Sequence, residues 1–116
     1  MPAPDKREHD RYKTSIRCKV GLKHGKVVPG VVLDLSARGA KISVDDNDFS
    51  LPVKEGDIIL LLMKDKIRVK AECKIKWISK RKRDTIIGVE FLEVEENFSL
   101  LLSSYAMSCI SDIYFR

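Results

Sequence analysis

Between Ile67 and Trp77 the chain alternates apolar and polar residues without a break. Ile67, Val69, Ala71, Cys73, Ile75 and Trp77 share one register, and Arg68, Lys70, Glu72, Lys74 and Lys76 share the other. A helix would scatter both sets around its circumference, whereas a strand, with its period of two, puts each set on one face. The stretch therefore predicts one long half-buried strand that turns its apolar side chains inward, Trp77 included, and a basic ridge outward. Lys80-Arg81-Lys82-Arg83-Asp84 reads as a charged hairpin loop. Thr85 to Leu92 return as the partner strand, with Ile87, Val89 and Phe91 inward and Gly88 where another group can approach closely.

Shorter patterns of the same kind fill the rest of the chain. Ile16, Cys18, Val20 and Leu22 alternate with Arg17, Lys19 and Lys23, and His24-Gly25-Lys26 makes a turn. Val27 to Leu35 form a second strand in which Pro29-Gly30 predicts a bulge or an edge position. Ala40, Ile42 and Val44 form a third strand, ending at Asp45-Asp46-Asn47-Asp48, a solvated turn that lacks the Gly and distal Glu of a calcium loop. Phe49 and Leu51 lead to the Lys54-Glu55-Gly56-Asp57 turn. Ile58 to Met63 are a continuous apolar run, consistent with a buried strand. Only after these strands does the period change. Phe98, Leu101, Leu102, Tyr105, Cys109 and Ile113 follow helical spacing, which predicts an amphipathic helix from about 95 to 114 with Glu93, Glu95 and Glu96 at its positive end. Leu100, Met107, Ile110 and Tyr114 widen its apolar face, leaving room for a second chain, including a homodimer partner, as well as the barrel. The class is all-β, an antiparallel barrel or sandwich of six or seven strands with a C-terminal helix.

With 116 residues the chain has room for one core. Residues 1–14, with Pro2, Pro4 and no apolar periodicity, read as a flexible arm, and 15–116 as the barrel with its helix. The start lacks the apolar core of a secretory signal, and no apolar run approaches the roughly 18 residues of a membrane span; a cytoplasmic protein without membrane insertion is expected. Cys18, Cys73 and Cys109 are odd in number, far apart and in apolar register, as buried free thiols are in a reducing compartment. His9 and His24 complete no metal-ligand spacing, and no nucleophile and base stand in a plausible catalytic order, so neither a metal nor an enzyme is expected. The net charge of +5 is concentrated between Lys64 and Arg83, which favours an anionic partner.

Two short motifs carry the chemistry. Arg7 and Arg11, four residues apart in the arm, can direct two guanidinium forks at one ligand, toward phosphate oxygens or a guanine O6/N7 edge. Asp34-Leu35-Ser36-Ala37-Arg38-Gly39 joins the second and third strands. Asp34 and Ser36 supply side-chain oxygens there, and Gly39 permits a positive φ or a close approach. Either motif alone is also an ordinary charged arm or a well-made turn.

Together and in this order, Arg-x-x-x-Arg before the first strand and Asp-x-Ser-x-x-Gly between the second and third resemble the PilZ domain family over nearly the whole chain. The pair of strands bearing Trp77, Gly88, Val89 and Phe91 is similar to that family's closing hairpin. The resemblance implies a six-stranded antiparallel barrel that binds cyclic di-GMP, often as an intercalated dimer of ligands. It also implies contacts from Arg7, Arg11, Asp34, Ser36 and Gly39. Arg38 lies between matched positions and points either to ligand or to solvent. It implies a receptor whose arm orders on the ligand and which signals through an effector protein to motility, adhesion or exopolysaccharide machinery. Two other readings stay open: a barrel for single-stranded nucleic acid, which needs aromatic side chains exposed on the basic face, and a PilZ-type adaptor acting by protein contact without nucleotide.

Overall fold

The computed structural model describes residues 11–23, 25–45 and 53–114, with side chains to residue 106. Its strands are β1 (Tyr12–Gly21), β2 (Val27–Leu35), β3 (Gly39–Asp45), β4 (Ile58–Lys64), β5 (Arg68–Lys80) and β6 (Asp84–Val94). They close into an antiparallel barrel in the order β1-β2-β3-β6-β5-β4, followed by α1 (Phe98–Tyr114). Among the described residues each strand has a neighbour on both sides, and each has one inward and one outward face.

Alternation decides what is inside. Ile16 and Val20 of β1, Val32 and Leu35 of β2, Ile42 of β3, Ile59, Leu61 and Met63 of β4, Ile75 of β5 and Ile87 of β6 are all buried. Burial of each large aliphatic side chain contributes about 1.5–3 kcal/mol. Cys18 and Cys73 are buried free thiols, and burial pushes both up to about 12. The Cys109 side chain lies outside the described residues, as do Phe49 and Leu51.

The strands follow the sequence reading in part and depart from it in part. The Ile58 to Met63 run is not buried on both faces, because β4 in a closed single-layer barrel turns every second residue to the outside: Ile58 is 42% and Leu60 61% exposed. Pro29 takes the edge position that was one of the two expectations, and not a bulge. It stays in register with Lys19 of β1, while the β2–β3 ladder starts only at Gly30 and Val44, so its missing N–H faces no strand on that side. The first strand begins at Tyr12, earlier than its alternation suggests, because an irregularity between Lys13 and Ile16 hides the periodicity.

The helix begins at Phe98, after the glutamates that were expected to open it. Glu95, just past the end of β6, is held by β5 instead: its N–H donates to the Lys70 carbonyl at 3.1 Å, and its Oε1 accepts from the Lys70 N–H at 2.7 Å. Phe98 and Leu101 are buried, and Phe98 meets the Phe91 ring edge-on at a centroid distance of 5.1 Å. Tyr105 donates its hydroxyl to Asp65 Oδ2 at 3.1 Å, tying the helix to the β4–β5 turn. The Met107, Ile110 and Tyr114 side chains lie outside the described residues.

Candidate functional site

Both β1 and β2 break their alternation as they near the Asp34–Gly39 link. The pairing shifts between Lys13 and Ile16 and between Val32 and Asp34, and Thr14 Oγ1 bridges the irregularity by donating to the Val32 carbonyl at 2.7 Å. A one-residue insertion re-aims the side chains beyond it. Here Asp34 comes to lie opposite Lys41, while Leu35 returns to the core. Arg11, immediately before β1, donates from Nη1 to Asp34 Oδ1 at 3.2 Å, and Lys41 Nζ stands 3.7 Å from Oδ2. The carboxylate thus tethers Arg11, the second arginine of the expected arm, to the barrel.

The link itself is closed by Ser36. Its N–H donates to the Gly39 carbonyl at 2.9 Å. Its Oγ donates to the same carbonyl at 3.2 Å and accepts from the N–H groups of Arg38 and Gly39 at 3.3 and 3.2 Å. Ser36 is buried, so Ser36→Ala would disturb the turn as well as remove a hydroxyl. Gly39 is required for a reason other than its φ: a Cβ there would stand 2.1 Å from the Val89 carbonyl oxygen, where β3 meets β6. Backbone cannot yield to it. The Phe91 N–H donates to the Arg38 carbonyl at 2.7 Å, which seats the link on β6.

Trp77 is the main correction. It was expected in the core by alternation, yet it is 42% exposed. The β5–β6 register shifts between Ile75 and Trp77: Ile75 pairs with Val89, Trp77 with Gly88, and Ile78 with the buried Ile87. Lys76 is the extra residue, so the inward phase passes from Ile75 to Ile78 and Trp77 turns out. Its indole lies on Gly88, where a Cβ would be 2.1 Å from Nε1. The glycine is what lets the ring lie flat on the sheet.

Arg11, Ser36, Arg38, Trp77, Gly88 and Glu90 are among the residues lining a hollow of about 320 Å³, the lower end of ordinary small-ligand pockets. Lys76, 3.9 Å from Glu90, lines it too. Arg11, Arg38 and Lys76 outweigh Glu90 there, so the hollow is cationic. Guanidinium forks suit phosphate or a carbonyl/N7 edge, and the half-exposed indole suits a flat ring. Of the residues singled out from sequence, Arg11, Ser36, Arg38 and Gly39 line the hollow. Asp34 is not on its wall but is ion-paired with Arg11, which is. Arg7 lies outside the described residues. Trp77, Lys76 and Glu90 were missed, although an aromatic residue facing Gly88 across a hairpin was the available signal. Among the described residues no group of His, Cys, Asp and Glu could hold a metal, and no helix is long and apolar enough to cross a membrane.

A closed six-stranded barrel with a cationic hollow beside its β2–β3 link defines a small ligand-binding β domain. The model of the PilZ domain matches residues 5–107, and the chain belongs to that family. Among solved structures it is similar to the Bacillus subtilis inhibitor of motility MotI (DgrA), with a TM-score of 0.75 and 13% identity, over 93% of this chain and 53% of that one. It is also similar to the PilZ domain of Escherichia coli YcgR solved with c-di-GMP (TM-score 0.72, 14% identity, 94% of this chain and 98% of that one). The K. pneumonia MrkH–c-di-GMP complex aligns with a TM-score of 0.70 at 11% identity, over 95% of this chain and 55% of that one. At these identities the likeness is one of fold, and the chain spans about half the length of MotI and MrkH. No curated protein matches the sequence.

Proposed function

We propose that this domain is a cyclic di-GMP receptor that binds the nucleotide at the hollow beside the Ser36–Gly39 turn. The observation that carries the reading is the convergence of Arg11, Arg38 and the Trp77 face on that hollow. Family membership and the c-di-GMP-bound structures of similar fold support it. Arg11 and Arg7 act as forks on phosphate and on the guanine O6/N7 edge. Asp34, which holds Arg11 and Lys41, trades those cations in part for guanine N1–H and N2–H₂ donors. Trp77 stacks on a guanine, and the Ser36–Gly39 backbone forms the floor. Ligand binding draws the arm bearing Arg7 against the barrel, and the changed surface is read by an effector protein of motility, adhesion or exopolysaccharide machinery.

Calorimetric titration with cyclic di-GMP tests this directly. Wild type should release heat, and Arg7→Ala, Arg11→Ala and Trp77→Ala should bind more weakly. Absence of binding by the folded wild type would overturn the proposal. Exposure of Trp77 beside Lys76 also supplies what the nucleic-acid reading needed, an aromatic side chain on a basic surface. That reading requires strongly salt-dependent binding of oligonucleotides, and the same titration with an oligonucleotide separates the two.

A further inference from the structure

On the wall of the barrel formed by β2, β1 and β4, three outward positions at one end are aliphatic where a solvated strand would be polar. Ile58 and Leu60 of β4 are 42% and 61% exposed and Val27 of β2 is 57% exposed. Gly21 of β1 pairs with Val27 on one side and Leu60 on the other, so no side chain separates them. Single exposed leucines are ordinary, but apolar residues contiguous across three strands mark a contact surface.

Cations frame this stripe. Leu62 lies between Lys19 of β1 and Lys70 of β5, and Ile58 lies opposite Lys74. Beside the stripe, on the β1 side of Leu62, lies a second hollow of about 610 Å³, lined by Arg17, Lys19, Pro29, Val31 and Lys64 and reaching Asp45, Arg83 and Asp84. Arg17, Lys19 and Lys64 have no carboxylate partner among the described residues. Asp84, at the far end of this hollow, is already held by Arg81 at 2.9 Å and by the Ser43 hydroxyl at 2.7 Å. Asp45 in the lining of the hollow and Glu72, opposite Leu60, run against the positive sign, and Arg17, Lys19, Lys64, Lys70, Lys74 and Arg83 outnumber them. An apolar centre with a charged rim is the anatomy of a protein interface, and the sign of the rim selects the sign of the partner.

We infer that the β2–β1–β4 wall docks an acidic protein segment whose apolar side chains cover Val27, Ile58 and Leu60 and whose carboxylates meet Lys19, Arg17 and Lys64. A second copy of this chain is disfavoured, because a two-fold face would bring the cationic rim against itself. A polyanion such as nucleic acid would leave the aliphatic stripe uncovered. In the order β1-β2-β3-β6-β5-β4 the β1 and β4 strands stand across the barrel from β3 and β6. The partner and the ligand of the proposed receptor therefore occupy opposite walls at once. The inference names the partner face of that receptor but does not depend on nucleotide binding, and its test is run without nucleotide.

The test uses the ¹⁵N-labelled chain and two synthetic helix-forming peptides with leucines along one face, flanked by glutamates in one and by lysines in the other. The acidic peptide should shift the amides of Lys19, Gly21 and Leu60 and leave those of Gly39 and Gly88 in place, and the basic peptide should not bind. Leu60→Thr, a strand-forming replacement at an exposed site, and Lys19→Glu should each weaken the acidic peptide by about tenfold, the scale of an interface anchor. Equal binding of both peptides, or shifts confined to other walls, would overturn the inference. So would anionic phosphatidylglycerol vesicles binding through Leu60 where the peptide does not, or self-association in sedimentation that Leu60→Thr abolishes without peptide binding.

Discussion

The two walls of this barrel are made from the same alternating pattern and end up chemically opposite. On the β3–β6–β5 wall, glycines at Gly39 and Gly88 admit a neighbouring carbonyl and an indole ring, and a bulge at Lys76 turns a tryptophan outward among arginines and lysines. On the β2–β1–β4 wall the register runs evenly from Ile16 through Gly21 and along β4, and the outward positions are simply aliphatic and basic. The first wall is built by irregularity. The second keeps an even register beside a hollow of its own. Bulges and glycines bring an indole and guanidinium groups together on the first wall; the second offers an apolar stripe with a cationic rim, which suits a protein-docking face.

That contrast can be broken most severely at Gly39. Gly39→Ala places a Cβ against the Val89 carbonyl and should cost about 3 kcal/mol of stability through overpacking that backbone cannot relieve, read as a lowered midpoint in urea. Arg11→Ala should do the reverse, leaving stability nearly unchanged because its ion pair with Asp34 is exposed, while weakening cyclic di-GMP by about 1.5–3 kcal/mol in calorimetry. Trp77→Ala should weaken the same ligand by about 1–3 kcal/mol, the value of one stacked base, and ligand should change the fluorescence of wild-type Trp77. Leu60→Thr on the opposite wall should move stability by no more than about 0.5 kcal/mol and leave nucleotide binding intact. A large loss of either would mean that the two walls are coupled.

A pH dependence sits at the end of the barrel where the walls meet. Hydrogen bonds from Arg81 and then from Ser43 hold Asp84 down to about 2. Its folded value lies below its unfolded one, so the stabilisation is complete above about pH 4 and is lost as pH falls toward 2. Amide exchange at the β5–β6 turn should accelerate across that window in wild type. Asp84→Asn should flatten the response.

Alternation located five of the strands and most of the inward set from Ile16 to Ile87, a continuous apolar run located β4, and helical spacing located the helix that follows them, because period two and period 3.6 segregate side chains in incompatible ways. The order Arg7, Arg11, Asp34, Ser36, Gly39 was likewise enough to point to a family. Bulges were not legible: a strand pattern carries no mark of an inserted residue until its partner is known, so Trp77 was assigned to the wrong face and Tyr12–Thr14 to the arm. Nor could Ile58 to Met63 declare that one of its faces is outside, since a run of apolar residues reads alike in a buried strand and in a barrel wall. Composition and periodicity determined which residues could be strands and which inward faces could close a core. Pairing across the closed barrel decided which side of it each remaining residue serves, because the neighbour opposite Trp77, Gly39 or Leu60 is set by register between segments distant in the chain.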